Sequence, residues 1–525
     1  MDYFEKKIKS FIMWFSREKI ELFLFSLVMG FIAHILYITS NIATPDSLWN
    51  GFSYQKPTGW EISLGRWGII LVERIVNFVL IPSVITILNL IILSISVIFV
   101  CDIFNFKTKS SKILTSFAII LSPCIYITFF YMHTSLAYCF AFLFSTLSVW
   151  FLYKFKNTKL GFAISIILFA FTLSLYQSYI GVIVGIFIMY TILLIFNPNY
   201  KIKYILTNIG KSVLSIILGT ILYYIITIII FNSLDITLSS YCNADKISIL
   251  NMILNLKETI YYSYLKFIDF FIHDNIFYNT NYRRDLLWIA FFIVSLIAYI
   301  IKIIKLYTEV DLPKKDKLVR MFILFIFTLF IPISLNIINI IIGFDNIYAL
   351  TAVQIILFVP FLLSISEEFN IFYYLETLIL IFILLTFFVA GNTSYEAMKL
   401  TYNQSIAATS RIISRIESTD GYNEGVPVVF VGIIDEENFK RTSNLYNYSL
   451  GFCSNSTVFH GNYVGSIFTW NRFLEIYFGV KYPVVSDEWY NIIINNDDFK
   501  EMNIFPNDNS IKMIEGAIVV KLKDI

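Results

Sequence analysis

The feature that most constrains this chain is a series of eleven apolar stretches between residues 20 and 390. A hydrocarbon layer of roughly 30 Å requires about 20 apolar residues in a helix, and each stretch has about that length. The composition agrees, since 58% of the 525 residues are hydrophobic and only 14% are charged. The sequence therefore predicts an all-α polytopic membrane protein with about 11 transmembrane helices. The predicted spans are 20–40, 83–103, 113–132, 135–153, 160–175, 180–197, 212–231, 286–304, 321–343, 347–366 and 371–390.

The basic residues between the spans predict the orientation. Every second loop is rich in lysine and arginine, and short loops of that kind face the cytoplasm. We therefore expect a cytoplasmic N terminus and, because the number of spans is odd, an extracytoplasmic tail. The basic groups assigned to the inside are Lys6, Lys7, Lys9, Arg17 and Lys19; Lys107, Lys109 and Lys112; Lys154, Lys156 and Lys159; Lys201, Lys203 and Lys211; and Lys302, Lys305, Lys314, Lys315, Lys317 and Arg320.

Three regions follow from this topology. Residues 1–19 read as an amphipathic segment on the cytoplasmic surface, and residues 20–390 form the membrane domain, with long outside loops at 41–82 and 232–285. Residues 391–525 read as a helix leading into a small extracytoplasmic α/β domain, with strands predicted at 426–432 and 517–522. The short, closely joined stretches 160–175 and 180–197 are either two spans or one re-entrant hairpin.

The first outside loop contains an amphipathic stretch, two tryptophans and a group of charged residues. Its second half, Arg66 to Val79, has an amphipathic pattern that predicts a helix along the outer interface, anchored by Trp60 and Trp67. Asp46, Glu61 and Arg66 lie in the same loop. Carboxylates and a guanidinium suit sugar transfer from a lipid phosphate, because the acceptor hydroxyl needs a base and the departing phosphate needs a cation. The alternative is that these are solvated charges, with Arg66 bound to lipid head groups.

Two further groups of residues are candidates for binding. The polar run 174–179, with Tyr176 and Gln177, lies between apolar spans and either forms interhelical hydrogen bonds or contacts a sugar or phosphate. Arg283 and Arg284 stand just outside a span, where they either clamp a lipid phosphate or extend to anionic head groups.

Several functions have no support in the sequence. There is no nucleotide-binding glycine motif, no Cys/His spacing typical of a metal site and no basic tract suited to nucleic acid. We therefore expect neither a metal nor another cofactor. Cys242 and Cys453 both fall outside the membrane and either pair or remain free thiols.

The order of these motifs resembles the bacterial membrane glucosyltransferases of the O-antigen-modifying, serotype-converting type, which have the GT-C architecture. The resemblance is carried by the acidic first loop leading to Gly65-Arg66-Trp67, by the 175–179 run Leu-Tyr-Gln-Ser-Tyr, and by the 390–395 run Ala-Gly-Asn-Thr-Ser-Tyr with the helix of Arg411 and Arg415 behind it. The first loop departs from the family pattern in having a single acidic residue, Asp46, rather than adjacent ones.

The resemblance implies an inverting hexosyltransferase that moves glucose from polyprenyl-phosphate-glucose to a cell-surface glycan at the outer face of the membrane. It implies that Asp46, with Glu61 as the rival, is the base, that Arg66 lies near the donor phosphate, and that Tyr176 and Gln177 line the sugar cavity. From their positions in the sequence, Arg283 and Arg284 are further candidates for the donor phosphate, and Trp60 is a further candidate for the cavity.

The same hypothesis predicts the acceptor and the proteins that supply the lipid-linked sugar. The abundance of isoleucine, asparagine and lysine indicates an AT-rich bacterial genome, and in a Gram-positive cell the acceptor is a wall polysaccharide or teichoic acid. A synthase and a flippase supply the lipid-linked sugar. The main alternative function is a transporter or flippase of lipid-linked sugars, although the sequence has no repeated halves of the kind common in transporters.

Overall fold

The computed structural model describes residues 16–40, 42, 44, 47–48, 59–155, 158–240, 255–273, 284–310, 312–342, 349–432, 444–445 and 463–524. Most of these residues are helical. In chain order the helices are α1 (Arg17–Ser40), α2 (Gly59–Ser63), α3 (Gly68–Glu73), α4 (Pro82–Phe104), α5 (Lys109–Ile120), α6 (Pro123–Phe130), α7 (Met132–Tyr153), α8 (Thr158–Leu175), α9 (Ile180–Phe196), α10 (Ile202–Leu234), α11 (Leu256–Ile268), α12 (Arg284–Thr308), α13 (Lys314–Leu335), α14 (Ile338–Ile342), α15 (Phe358–Ser366), α16 (Asn370–Glu417), α17 (Tyr463–Phe478), α18 (Asp487–Asn495) and α19 (Asp497–Lys500).

The apolar helices form a bundle with a buried centre and an apolar exterior. Helices α4, α7 and α9 are mostly buried, whereas only 17% of the most apolar window of α10 is buried. The residues that α10 exposes are large and apolar, such as Leu214, Ile217 and Ile221. A water-soluble protein seldom exposes so continuous an apolar face, so this face is suited to lipid. Ten segments of the described chain are long and apolar enough to cross a membrane. The prediction of a polytopic all-α protein is confirmed.

The predicted span 347–366 differs from the others in form. It contains two short 3-10 helices, Ala349–Thr351 and Val353–Leu357, followed by the nine-residue α15. At about 2.0 Å per residue for 3-10 and 1.5 Å for α-helix, the segment extends roughly 30 Å. The pieces together have about the length of a span, although α15 alone is too short to cross a membrane.

Charged side chains gather at one end of the bundle. The Lys112 amino group lies 2.6 Å from the Glu18 carboxylate, and Lys302 lies 3.1 Å from Glu368. Glu367 accepts hydrogen bonds from the backbone N–H groups of Lys107 and Thr108. These contacts bring together the start of α1, the α4–α5 and α15–α16 connections and the end of α12. All the lysines involved belong to the loops that the sequence assigns to the cytoplasm.

The opposite end carries α2 and α3, the short helices of the loop 41–82. The predicted helix from Arg66 to Val79 is shorter in the structure: α3 begins at Gly68, a 3-10 turn follows at Arg74–Val76, and Asn77 is left-handed at φ 51°. The prediction that Trp67 is an interfacial anchor is wrong, because its side chain is only 7% exposed and packs between helices.

The longest helix joins the membrane bundle to the tail. α16 has 48 residues and runs without a break through the predicted boundary at 390–391. Beyond it, β1 (Val428–Val431) pairs in parallel with β3 (Ala517–Lys521), and β2 (Ile511–Ile514) pairs antiparallel with β3 on its other side. Arg415 of α16 donates to the carbonyls of Pro506 and Asn507, which ties the helix to this module. The tail thus contains the small α/β unit that the sequence predicts.

Candidate functional site

The segment Gly65-Arg66-Trp67 crosses between α2 and α3 and is held in place by α10. Gly65 has a φ of +75°, a conformation that favours glycine. The Tyr223 hydroxyl donates to the Gly65 carbonyl at 3.1 Å, and a Cβ on Gly65 would overlap that hydroxyl. The Trp67 indole donates to the Thr227 hydroxyl at 3.1 Å. Because Tyr223 and Thr227 are one turn apart on α10, a single helix face positions both sides of Arg66.

Arg66 meets the second polar motif of the sequence. Its Nε donates to the Gln177 side-chain oxygen at 3.4 Å, and its guanidinium carbon lies 4.7 Å from the centre of the Tyr176 ring. The Gln177 amide nitrogen in turn donates to the Leu64 carbonyl at 2.8 Å. Two motifs more than a hundred residues apart therefore form one half-buried cluster, as expected if they serve the same site.

Close approach of α3 to α8 completes this arrangement. A Cβ on Gly68 would overlap the Ser174 hydroxyl and lie 3.1 Å from the Ser174 carbonyl, so this close approach favours glycine. Ser174 is the last but one residue of α8, just before Tyr176. The Tyr176 ring stacks on Tyr138 of α7, with ring centres 4.4 Å apart. An arginine beside stacked tyrosines offers an anion-binding group and apolar ring surface of the kind that sugars contact.

Two buried carboxyl groups lie in the same loop. Glu61 on α2 is 7% exposed and Glu73 on α3 is 5% exposed. Burial, followed by repulsion from Glu61, raises the pKa of Glu73 from its ordinary value to about 8. Glu73 is a site residue that the sequence analysis missed. The signal was present, because Ile69, Val72 and Glu73 share the buried face of α3 at helical spacing.

Several predicted residues are not brought into this cluster by the described part of the structure. Trp60 lies on α2 and is 50% exposed. Asp46, Arg283, Cys242 and Cys453 lie outside the described residues, and of Arg284 only the backbone, at the start of α12, is described.

The residues on either side of Asp46 are nevertheless anchored close to the Arg66 cluster. The Thr44 hydroxyl donates to the Phe130 carbonyl at 2.9 Å, and Ser47 contacts Thr44 through both its backbone N–H and its hydroxyl. Phe130 ends α6, and the following α7 carries His133, which interacts electrostatically with Arg66. The first part of the loop is thus anchored at the same end of α7 as the Arg66 cluster.

A second buried cluster links the first and last membrane helices. The His34 Nδ1 lies 2.5 Å from the Tyr395 hydroxyl, and the His34 Nε2 donates to the Ile120 carbonyl at 3.2 Å. The neutral imidazole is therefore protonated at Nε2 and accepts from Tyr395 at Nδ1. Tyr395 also stacks on Tyr37, whose hydroxyl donates to the Phe129 carbonyl. Tyr395 belongs to the 390–395 run noted in the sequence, and its contacts are those of a helix-joining residue.

Comparison with protein families decides the relationship. The family model described as Glucosyl transferase GtrII matches residues 29–365. The chain belongs to the GtrII glucosyl transferase family. The resemblance seen in the sequence is confirmed, and with it a multi-pass membrane glucosyltransferase. The matched part of this GtrII member contains the whole Arg66 cluster and both buried carboxyl groups, whereas α16 and the tail module lie beyond it. Neither the curated proteins nor the solved structures that were compared with the chain include a match.

The chemistry available to this GtrII member is that of a charged, aromatic-lined site. Arg66 supplies a fixed positive charge, the carboxyl groups can accept a proton, and Tyr138 and Tyr176 offer ring surface. Within the residues that the structure describes, no group of three or more His, Cys, Asp or Glu side chains is arranged to hold a metal ion.

Proposed function

We propose that this protein transfers glucose from polyprenyl-phosphate-glucose to a cell-surface glycan at the extracytoplasmic face of the bacterial cytoplasmic membrane. In a Gram-positive cell the acceptor is a wall polysaccharide or teichoic acid. The observation that carries the proposal is the contact of Arg66 with Gln177 and Tyr176, beside the buried Glu61, at the bundle end opposite the lysine-rich loops. A lipid-linked donor presents its phosphate and anomeric carbon at the membrane surface, at the depth of such a cluster.

Arg66 is suited to the donor phosphate. Its Nε is occupied by Gln177, and its terminal amino groups make no hydrogen bond to any described residue. A guanidinium held in this way can offer two parallel N–H donors to a phosphate oxygen pair. The Tyr176 face and the Gln177 side chain fix the plane of the group, so less entropy is lost when the donor binds. Arg283 and Arg284, at the start of α12, are proposed as additional phosphate contacts.

The reaction that fits these groups is a direct displacement. The acceptor hydroxyl oxygen attacks the anomeric carbon while its proton passes to a carboxylate, Asp46 or Glu61. The bond between the anomeric carbon and the phosphate oxygen breaks, and its electron pair leaves with the polyprenyl phosphate. Attack from the face opposite the leaving group inverts the anomeric centre. Arg66 stabilises the charge on the departing phosphate, which allows the reaction to proceed without a divalent cation.

The proposal is tested with purified protein in liposomes that contain polyprenyl-phosphate-[14C]glucose and isolated wall glycan. We expect label to move to the glycan, with UDP-glucose inactive as a donor. Asp46→Asn and Glu61→Gln are compared with Glu258→Gln, an exposed carboxylate on α11. Loss of a general base lowers the rate by about 10²–10⁴-fold, so one of the first two variants should show that loss and the control should not.

Three results would contradict parts of this proposal. Full activity in both Asp46→Asn and Glu61→Gln rules out a first-loop base. Loss of activity in EDTA, restored by Mg²⁺, rules out a metal-independent reaction. Movement of the intact labelled lipid across the bilayer without cleavage of the sugar–phosphate bond would identify a flippase instead.

A further inference from the structure

Glu73 is a buried carboxyl group for which the displacement above has no use. It lies on the core face of α3, 5% exposed, while its neighbours Leu71 and Arg74 are exposed. Its Oε2 is buried and makes no hydrogen bond to any described residue. An amphipathic helix gains nothing from a lone carboxylate on its apolar face, since desolvation of the charge is unfavourable. A residue kept in such a place calls for another explanation.

Glu73 belongs to α3, the helix that directly follows the Arg66 segment. α3 packs against α7 and α8, and Gly68, five residues before Glu73, contacts Ser174. Glu61 is the charged group that acts on Glu73. A second negative charge in an apolar region is unfavourable, so both burial and Glu61 disfavour ionisation of Glu73.

The other titratable groups near this end of the bundle come from several elements. α2 carries Glu61, α7 carries His133 and Tyr138, and α3 itself is followed by the exposed Arg74. Lys159 is the one titratable residue of α8, and it lies at the opposite end of that helix. Arg66 is engaged by Gln177 and Tyr176, and the structure gives it no ion pair with Glu73. No described cation therefore neutralises Glu73.

We propose that Glu73 is a positioning residue of the transfer site, whose buried carboxyl group must stay uncharged for the lipid-linked donor to bind. This inference rests on the proposed function. In its protonated form Glu73 carries a hydrogen-bond donor and adds no negative charge to the site. Once ionised, it adds a second negative charge where an anionic lipid phosphate must bind, so the donor is repelled.

The experiment is a pH profile of kcat/KM for the donor between pH 6 and 9.5. For the unmodified protein we expect a fall above pH 8 that approaches roughly tenfold for each pH unit, as for loss of one essential proton. Glu73→Gln stays neutral and should be flat across the same range, with near-normal transfer at pH 7. Glu73→Met is also neutral but donates no hydrogen bond. It should therefore be flat and slower at pH 7.

The matched control is Glu376→Gln. Glu376 is another fully buried glutamate with one oxygen that lacks a hydrogen bond, but it is held by Ser366 next to the lysine-rich end of the bundle. This variant should keep the alkaline fall of the unmodified protein. Glu73→Asp keeps an ionisable group and should keep the fall as well.

The outcomes separate this inference from the function on which it rests. If the unmodified protein transfers no glucose at any pH, the proposed function fails. If it transfers glucose at a constant rate from pH 7 to 9.5, or if a folded Glu73→Gln shows the same alkaline fall, the role of Glu73 is overturned and the transferase proposal stands. The profile of the unmodified protein gives this answer even where a Glu73 variant does not fold.

Discussion

The Tyr395 hydroxyl donates to the His34 imidazole at 2.5 Å across 361 residues of chain. This hydrogen bond joins α1 to α16, the first and last helices of the membrane bundle. Tyr395 is stacked on Tyr37, and Tyr37 holds the carbonyl of Phe129 at the end of α6. The helix that carries the tail module is therefore bound to the break between α6 and α7, where Thr44 of the loop 41–82 is also anchored.

Removal of this hydroxyl should weaken the bundle. In Tyr395→Phe the ring contacts remain, but the His34 Nδ1 is left buried without its donor. We expect a loss of about 1–3 kcal/mol in the free energy of unfolding, measured as a lower melting temperature in detergent. Tyr374→Phe on the same helix is the control, because Tyr374 is exposed and should have no effect. Equal stability of the two variants would show that the His34 contact contributes nothing.

Substitution of Gly65 should disrupt the Arg66 cluster. Gly65→Ala places a side chain in the left-handed region and against the Tyr223 hydroxyl. We expect transfer to fall by more than tenfold, and the double variant Gly65→Ala/Tyr223→Phe to recover part of it, since the backbone strain remains. Gly210→Ala on α10 has open space around its Cβ and should be neutral or slightly stabilising. No recovery in the double variant would mean that backbone strain, rather than the hydroxyl, is limiting.

Arg66→Lys should separate charge from geometry. Lysine keeps the positive charge but loses the Nε hydrogen bond to Gln177 and the planar contact with Tyr176. A hydrogen bond to a charged group contributes about 1.5–3 kcal/mol, which corresponds to a rise of roughly 10- to 100-fold in the KM for the lipid donor. Arg74→Lys changes an exposed arginine and is the control. If Arg66→Lys binds the donor normally, the guanidinium geometry is unimportant.

Glu73 should make stability depend on pH. Its pKa rises to about 8 in the folded protein from an ordinary value near 4.5, so the folded state binds this proton more tightly than the unfolded state. Folding is therefore favoured at low pH, and stability falls as the pH rises from about 4.5 to 8. Glu73→Gln removes this dependence. Its melting temperature should exceed that of the unmodified protein at pH 8 and approach it at pH 5; a constant difference would contradict the assignment.

The sequence predicted the helices of the membrane bundle well because apolar runs of this length have few alternatives. It predicted less well where contacts between distant segments decide the structure. Trp67 was expected at the membrane interface, yet Thr227, 160 residues later, accepts a hydrogen bond from its indole. The segment 347–366 has the composition of a span, but hydropathy does not reveal that its first half is 3-10 helix.

The candidate site shows the same division. The residue types of Arg66 and Gln177 were recognisable, and so was the order of their motifs, but their contact depends on how α8 and α10 pack. Glu73 was not selected as a candidate site residue because it lies close to the end of a predicted span, where charged residues are common. Only the buried face of α3 shows that its carboxyl group is turned away from water. The roles proposed for Asp46, Arg283 and Arg284 remain predictions.

The uninterrupted α16 has a mechanical consequence for the tail. An uninterrupted α-helix of 48 residues is roughly 70 Å long and is stiffer than an irregular linker of that length. The tail module therefore cannot rotate freely, as it could on a flexible linker. Its orientation relative to the membrane domain depends on the rotation of α16 about its own axis. One residue inserted between Asn392 and Tyr402 would rotate that module by about 100° and move it by about 1.5 Å along the helix axis. A different face of the module would then be turned towards the substrates of the membrane domain.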